Sequence, residues 1–161
     1  MNNTSSQSYS GDTTNTSFED SLTFMLSTLG SRIALIAEQT LRKELDLGYM
    51  EWRIIQIVGT EPGAPPKRIA AITGVNKANV SRGISALEKR KLIKRSSLDG
   101  HARYTKLQLT KAGLDIYRKG NKLRSNSEVP LFNGLSDTAK QQLGKTLRKI
   151  MRNVDAIRNE K

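Results

Sequence analysis

The spacing of apolar residues changes period between Pro66 and Thr110, and few folds accept that change. Ile69, Ala70, Val75, Val80 and Ile84 recur at helical steps on either side of Gly74, which predicts two short helices meeting at a tight turn. Pro66 suits the first helical position, where its missing N–H is not needed, and Asn76 suits the N-cap of a second helix running to about Arg90 with Val80, Ile84 and Leu87 inward. The period then drops to two. Leu92 to Ser97 and Arg103 to Thr110 alternate, and Leu98-Asp-Gly-His-Ala102 between them reads as a hairpin turn with Gly at its tip. Two helices and a hairpin make a winged helix-turn-helix. Its mechanical needs are met: Ala70 is small where the helices cross, Gly74 permits a positive φ, and Val75 and Val80 fill the space between.

Around this unit the chain is helical. Phe18, Leu22, Met25, Leu26, Leu29, Ile33, Ile36 and Leu41 predict one long amphipathic helix from Phe18 to about Asp46, broken by Gly48. Met50, Ile54, Ile57 and Val58 share one side of a second helix, Tyr49 to Gly59, and Glu61-Pro-Gly-Ala-Pro-Pro66 is a turn. Helix resumes at Lys111, capped by Thr110, and is expected to fade near Ser127; a last helix runs from about Ser136 to Arg158. Its stripe of Leu135, Ala139, Leu143, Leu147, Ile150, Val154 and Ile157 has no remaining domain to cover, and the first helix is too long for one small winged domain. Both are expected to bury against a second copy. The fold expected is therefore mainly α with a small β-hairpin wing: a Ser/Thr/Asn-rich disordered tail at 1–17, dimerisation helices at 18–48 and 111–161, and a winged lobe at 49–110.

Charge points to the partner. Of 161 residues, 27 are Lys or Arg and 15 are Asp or Glu, a net of +12. Residues 67–122 alone carry 15 basic and 3 acidic side chains, an excess equal to the whole net charge. Such a block favours a polyanion, although single-sign blocks also occur on ordinary solvated surfaces. With no Cys and one His, the chain lacks thiol chemistry, a His-based triad and a thiolate metal site. No glycine-rich phosphate loop or paired-carboxylate motif is present, so an enzyme, a cofactor and a metal are not expected. The longest apolar run, Ile33 to Ala37, is too short for a bilayer, and the N-terminus has neither a basic start nor an apolar stretch. A cytoplasmic protein without membrane contact is expected. A basic RNA-binding or ribosome-associated winged-helix protein would show the same charge map and stands as the alternative.

Helical phase places Ala78, Ser81, Arg82, Ser85 and Lys89 on the side away from Val80, Ile84 and Leu87. That short, basic face suits the major groove of double-stranded DNA, Ser and Arg reaching base edges and Lys the phosphates. Lys67, Lys77 and Asn79, at the starts of the two short helices, complete the helical part of the candidate contact set.

At this point the chain resembles the multiple antibiotic resistance regulator (MarR) family. The resemblance rests on Glu51-Trp-Arg53, Asn76-Lys-Ala-Asn-Val-Ser-Arg82, Leu87-Glu88 with Leu92-Ile93, and Arg103 followed by Leu109-Thr110 and Gly113, and it covers about Phe18 to Val154. It implies a homodimer of winged-helix subunits held by the first and last helices, acting as a transcriptional regulator at a palindromic operator, with repression the expected mode. Arg103 matches the wing arginine that the family places in the minor groove, and Ser81 and Arg82 match the recognition-helix pair. Where the family usually has Asp two residues before that arginine, this chain has His101. His101 is either a solvated turn residue or a phosphate contact that strengthens on protonation.

Relatives with the Glu-Trp-Arg signature resemble repressors of aromatic-acid catabolism, which implies a small anionic aromatic effector of the hydroxycinnamate or hydroxybenzoate kind. A carboxylate of that type needs a flat apolar slot and a fixed cation. Arg53 is the candidate cation, Trp52 a candidate wall, and Ser27 and Ser31 candidate hydroxyl donors. Each has a plainer reading: a structural ion pair for Arg53, a core position for Trp52, and no role for the helical serines.

Overall fold

The computed structural model describes residues 17–97 and 105–159. The expected disordered tail, apart from Ser17, and the hairpin tip with Asp99, His101 and Arg103 lie outside the described residues.

Among the described residues, six α-helices and one two-stranded sheet follow in chain order: α1 (Leu22–Leu45), α2 (Tyr49–Thr60), α3 (Pro66–Thr73), α4 (Lys77–Lys89), β1 (Ile93–Ser97), β2 (Thr105–Leu109), α5 (Lys111–Leu131) and α6 (Asp137–Asn159). The winged helix-turn-helix is present. Gly74 ends α3 at φ 70°, the Asn76 side chain accepts from the Asn79 N–H at 2.8 Å, and β1 and β2 pair antiparallel with Ile93 opposite Leu109. The proline-rich turn is stitched to the sheet, Gly63 N–H donating to the Leu107 carbonyl at 2.8 Å. Thr110 caps α5 as expected, accepting from Gly113 N–H at 3.1 Å, and its hydroxyl donates to Lys91 O at 2.7 Å.

Three expected boundaries move. The first helix does not begin at Phe18: Phe18–Asp20 form a separate 3-10 turn, and Ser21 caps α1 by accepting from Phe24 N–H. Nor does Gly48 break it. Asp46 stops α1 in the left-handed region at φ 53°, a conformation Asp tolerates, while Gly48 becomes the N-cap of α2 with its N–H donated to Glu51 Oε2 at 2.8 Å. At the other end α5 continues past Ser127 to Leu131. Its serines do not compete with the helix, because Ser125 and Ser127 donate back to Asn121 O and Arg124 O, and Arg124 pairs with Glu128 one turn on.

The core lies inside the winged lobe and the end of α1. Leu41, Leu45, Leu47, Trp52, Ile54, Ile55, Val58, Ile69, Ala70, Val80, Ile84, Leu87, Leu92, Ile93 and Leu107 form one buried cluster. Complete burial of one such aliphatic side chain is worth about 1.5–3 kcal/mol. Two glycines fix how α5 packs on it: a Cβ at Gly113 would lie 1.9 Å from the Leu92 carbonyl oxygen, and one at Gly120 would lie 2.2 Å from the Trp52 ring. No residue of α6 enters the cluster. Outside it, large apolar side chains stay exposed along the first turns of the chain, α1, the end of α5 and α6, among them Leu29, Leu35, Ile36, Val129, Met151, Val154 and Ile157. No helix among the described residues is long and apolar enough to cross a membrane.

Candidate nucleic-acid interface

Helix α4 is pinned from behind. Val80, Ile84 and Leu87 are fully buried, which fixes its rotation and turns the opposite face outward. On that face Ala78, Ser81, Arg82, Ser85, Ala86 and Lys89 line a shallow open groove of about 490 Å³. The five residues that helical phase assigned to the outer face are thus together on one surface. Arg82 donates to the Asn79 side-chain oxygen, one turn back on α4, which holds the guanidinium along the helix. Lys67 in the first turn of α3 and Lys77 in the first turn of α4 are also exposed. Helix N-termini carry partial positive charge, so lysines placed there add to an anion-attracting end.

Neutralising partners lie elsewhere. The one acid on α4, Glu88, is held by Arg95 of β1 at 2.9 Å. Glu61 binds Arg68 at 2.9 Å, and that guanidinium holds the Glu61 carboxyl below its ordinary value. Among the described residues no ion pair involves Lys67, Lys77, Arg82 or Lys89, so these cations remain available to an anionic ligand. Cross-strand pairing adds two that the recognition-helix reading did not single out. Lys94 faces Gln108 and Ser96 faces Lys106, so strand alternation sets both lysines on the sheet face opposite buried Ile93 and Leu107. The period-two pattern held that signal.

Of the four residues expected to bind an effector, Arg53 alone lines the groove beside α2 and α4. Ser27 and Ser31 spend their hydroxyls on their own helix, donating to Phe24 O and Ser27 O at 2.9 Å each. Trp52 is a core residue, packed against Gly120 of α5. Arg53, one step or about 100° around α2, faces the other way: it donates to the Thr73 carbonyl at 3.2 Å and its guanidinium carbon lies 5.9 Å from the Tyr49 ring centre. Arg53 does line a groove, of about 490 Å³, with Tyr49, Met50, Val75, Asn79, Arg82 and Gly83. No carboxylate lines it. Among the described residues, no three His, Cys, Asp or Glu side chains gather where a metal could be held.

Residues 45–103 match the model of the MarR family. Transcriptional repressor MprA of Escherichia coli (strain K12) is 30% identical over 95 residues, 59% of this chain and 54% of that protein. The chain spans about half the length of the curated relatives it matches. Among solved structures, a MarR/EmrR family transcriptional regulator from Acinetobacter sp. ADP1 superposes with a TM-score of 0.78 at 26% identity, covering 83% of this chain and 94% of that one. The S. aureus MepR–DNA complex superposes with a TM-score of 0.72 at 20% identity, covering 86% and 99%, a likeness of fold.

Proposed function

We propose that this chain, in which residues 45–103 match the MarR family model, is a MarR-type sequence-specific DNA-binding transcriptional regulator that works as a homodimer. The observation that carries this reading is the outer face of α4, where Ser81, Arg82, Ser85 and Lys89 stand clear of the core and the only acid of the helix is occupied by Arg95. Serine and arginine on that face match hydrogen-bonding edges in a major groove, and Lys67, Lys77, Lys94 and Lys106 suit the flanking phosphates. The dimer is supported by the apolar stripes of α1 and α6, which the chain leaves exposed. A two-fold dimer presents two copies of α4 and calls for a palindromic site.

The finer reading is repression relieved by a small aromatic carboxylate. It is supported by the family resemblance and by the groove beside Arg53, where the Tyr49 ring, Met50 and Val75 offer an apolar wall and two guanidiniums offer charge. A ligand there loosens DNA only if it prefers the DNA-incompetent state; a tenfold loss requires about 1.4 kcal/mol of coupling.

The test is enrichment of duplexes from randomised DNA by the protein, followed by competition. A regulator prefers one palindrome over random duplex by about a thousandfold or more, and over RNA as well. Equal binding to all duplexes, or preference for RNA, overturns the regulator reading. Adding 4-hydroxybenzoate or 4-hydroxycinnamate to the preformed complex tests the effector alone: an unmoved binding curve removes the ligand class and leaves the DNA reading intact.

A further inference from the structure

Helix α4 is held at two places of different chemistry. Its middle is fixed by burial of Val80, Ile84 and Leu87. Its C-terminal end is fixed by a side chain: Arg90, the C-cap of α4, reaches to the junction of α1 and α2. Nη1 of Arg90 donates to the Asp46 carbonyl oxygen at 2.6 Å, Nη2 donates to Asp46 Oδ2 at 3.1 Å, and Nη1 lies 3.9 Å from Glu51 Oε2. Among the described residues no other side-chain hydrogen bond joins the end of α4 to the end of α1.

The junction it grips is short and already constrained. Asp46 is left-handed at φ 53°, Leu47 is fully buried, Gly48 N–H is taken by Glu51, and Tyr49 N–H is taken by Glu38 of α1. The helix that ends here is the one whose exposed apolar face is the proposed dimer surface. A rigid link from α4 to this joint is therefore a rigid link from the DNA-reading helix to the dimer frame.

We propose that Arg90 is a positioning residue that sets the spacing between the two α4 helices of the dimer by locking α4 to Asp46. Its place in the run Lys89-Arg90-Lys91 marks it by charge as a phosphate contact, but its guanidinium is committed to the joint. The inference rests on the dimeric DNA-binding reading above. Its consequence is geometric. One base pair added between half-sites moves them apart by about 3.4 Å and rotates one against the other by about 35°. A locked dimer rejects that change, and a dimer hinged at residues 46–48 absorbs it.

The experiment uses the full chain and the palindrome it enriches from randomised duplexes, together with versions carrying one base pair more or less between half-sites. Thermal melting is followed for each variant. For Arg90→Ala the pair removed is partly exposed, so affinity for the native spacing falls by no more than about fivefold. The preference for native over altered spacing collapses, and the salt dependence of binding keeps its slope. Asp46→Gly suits the positive φ and removes an acid from a basic lobe. Electrostatics alone predicts that it tightens binding to every duplex equally, whereas the lock predicts that spacing preference weakens. Arg90→Lys, with one ammonium for two acceptors, falls between parent and Arg90→Ala. If Arg90→Ala keeps the parent's spacing preference, or lowers the salt slope by about one while weakening all duplexes alike, the inference is overturned and Arg90 is a phosphate contact. A parent that enriches no duplex overturns the DNA reading and this inference together. An Arg90→Ala chain that fails to melt cooperatively leaves the decision to Asp46→Gly and Arg90→Lys, whose unchanged spacing preference would likewise overturn it.

Discussion

The winged lobe and the terminal helices are written with the same apolar periodicity, yet they end in opposite states. Ile84 and Leu87 on α4 are fully buried, while Val154 on α6 is 48% and Leu35 on α1 is 61% exposed. Of the large apolar side chains that remain exposed among the described residues, all but Ile72 and Leu114 lie before Ala37 or after Glu128. The lobe closes on itself because α2, α3, α4 and the sheet offer facing apolar sides to one another. Among the described residues, no residue of helix α6 joins the buried core cluster. A stripe of that kind marks an interaction surface in a protein that keeps its other apolar groups inside. Periodicity thus identifies which face is sticky, and the count of available neighbours decides whether one chain can satisfy it.

The largest effect that would break this comparison is a charge on α6. If the stripe is covered by a second copy, Leu147→Asp dissociates the dimer and lowers affinity for the enriched palindrome by about a hundredfold or more, since each half-site is then bound alone. Sedimentation and operator titration check this. In an isolated chain the same change falls at a half-buried position outside the core cluster and should cost about 1 kcal/mol or less. A folded monomer that binds the palindrome at full strength removes the contrast between the regions.

Next in size is a cut inside the lobe. Ile84→Ala leaves a cavity in a fully packed site and is expected to cost about 2–5 kcal/mol of stability. Chemical denaturation measures it. The matching truncation Val154→Ala should show a smaller loss that depends on protein concentration, because its contacts lie between chains. Equal, concentration-independent losses would erase the distinction.

Smaller again is the effect of the outer face of α4. Arg82→Ala removes a candidate bidentate contact without touching the core, so the melting transition stays put. Operator affinity falls by about 1–3 kcal/mol with relaxed choice at one base pair per half-site. Uniform weakening on every sequence would reassign Arg82 to phosphate.

The smallest effect is a pH dependence at the joint between the two regions. The Tyr49 N–H donated to Glu38, with Arg42 adding to it, lowers the Glu38 carboxyl from its ordinary value of 4.5 against the opposing pull of partial burial. A depressed carboxylate contributes stability that is fully present above pH 4.5 and is lost as pH falls through its folded value. Acid unfolding of the parent should therefore be steeper below pH 4.5 than that of Glu38→Gln. Superimposable curves would mean that the joint does not depend on this charge.

Much of the architecture was legible from local signals. The turn at Gly74, the caps Asn76 and Thr110, and the outward face of Ala78, Ser81, Arg82, Ser85 and Lys89 each follow from chemistry within one or two helical turns. The moved end of α1 has a different cause. Asp46 displaced Gly48 as the end of α1 because Leu47 is drawn into the core, its N–H reaching back to Leu41 O at 3.2 Å, and that pull comes from the packed cluster. Trp52 and Arg53 are neighbours in the chain, but one is claimed by α5 and the other by the end of α3.

Local sequence specified the helix-turn-helix, the two faces of each strand, the basic middle of the chain and the outward face of α4. These depend on backbone preferences and on the fixed angle between successive side chains, which neighbours in the chain already specify. Packing, not local sequence, placed Glu88 on Arg95, closed the core with Trp52 under Gly120, and brought Arg90 to Asp46 across 44 positions of chain. Nothing local encodes such contacts. They arise because a buried cluster fixes the helices first, and the ends of long side chains then bond to whichever partner that packing has brought within reach.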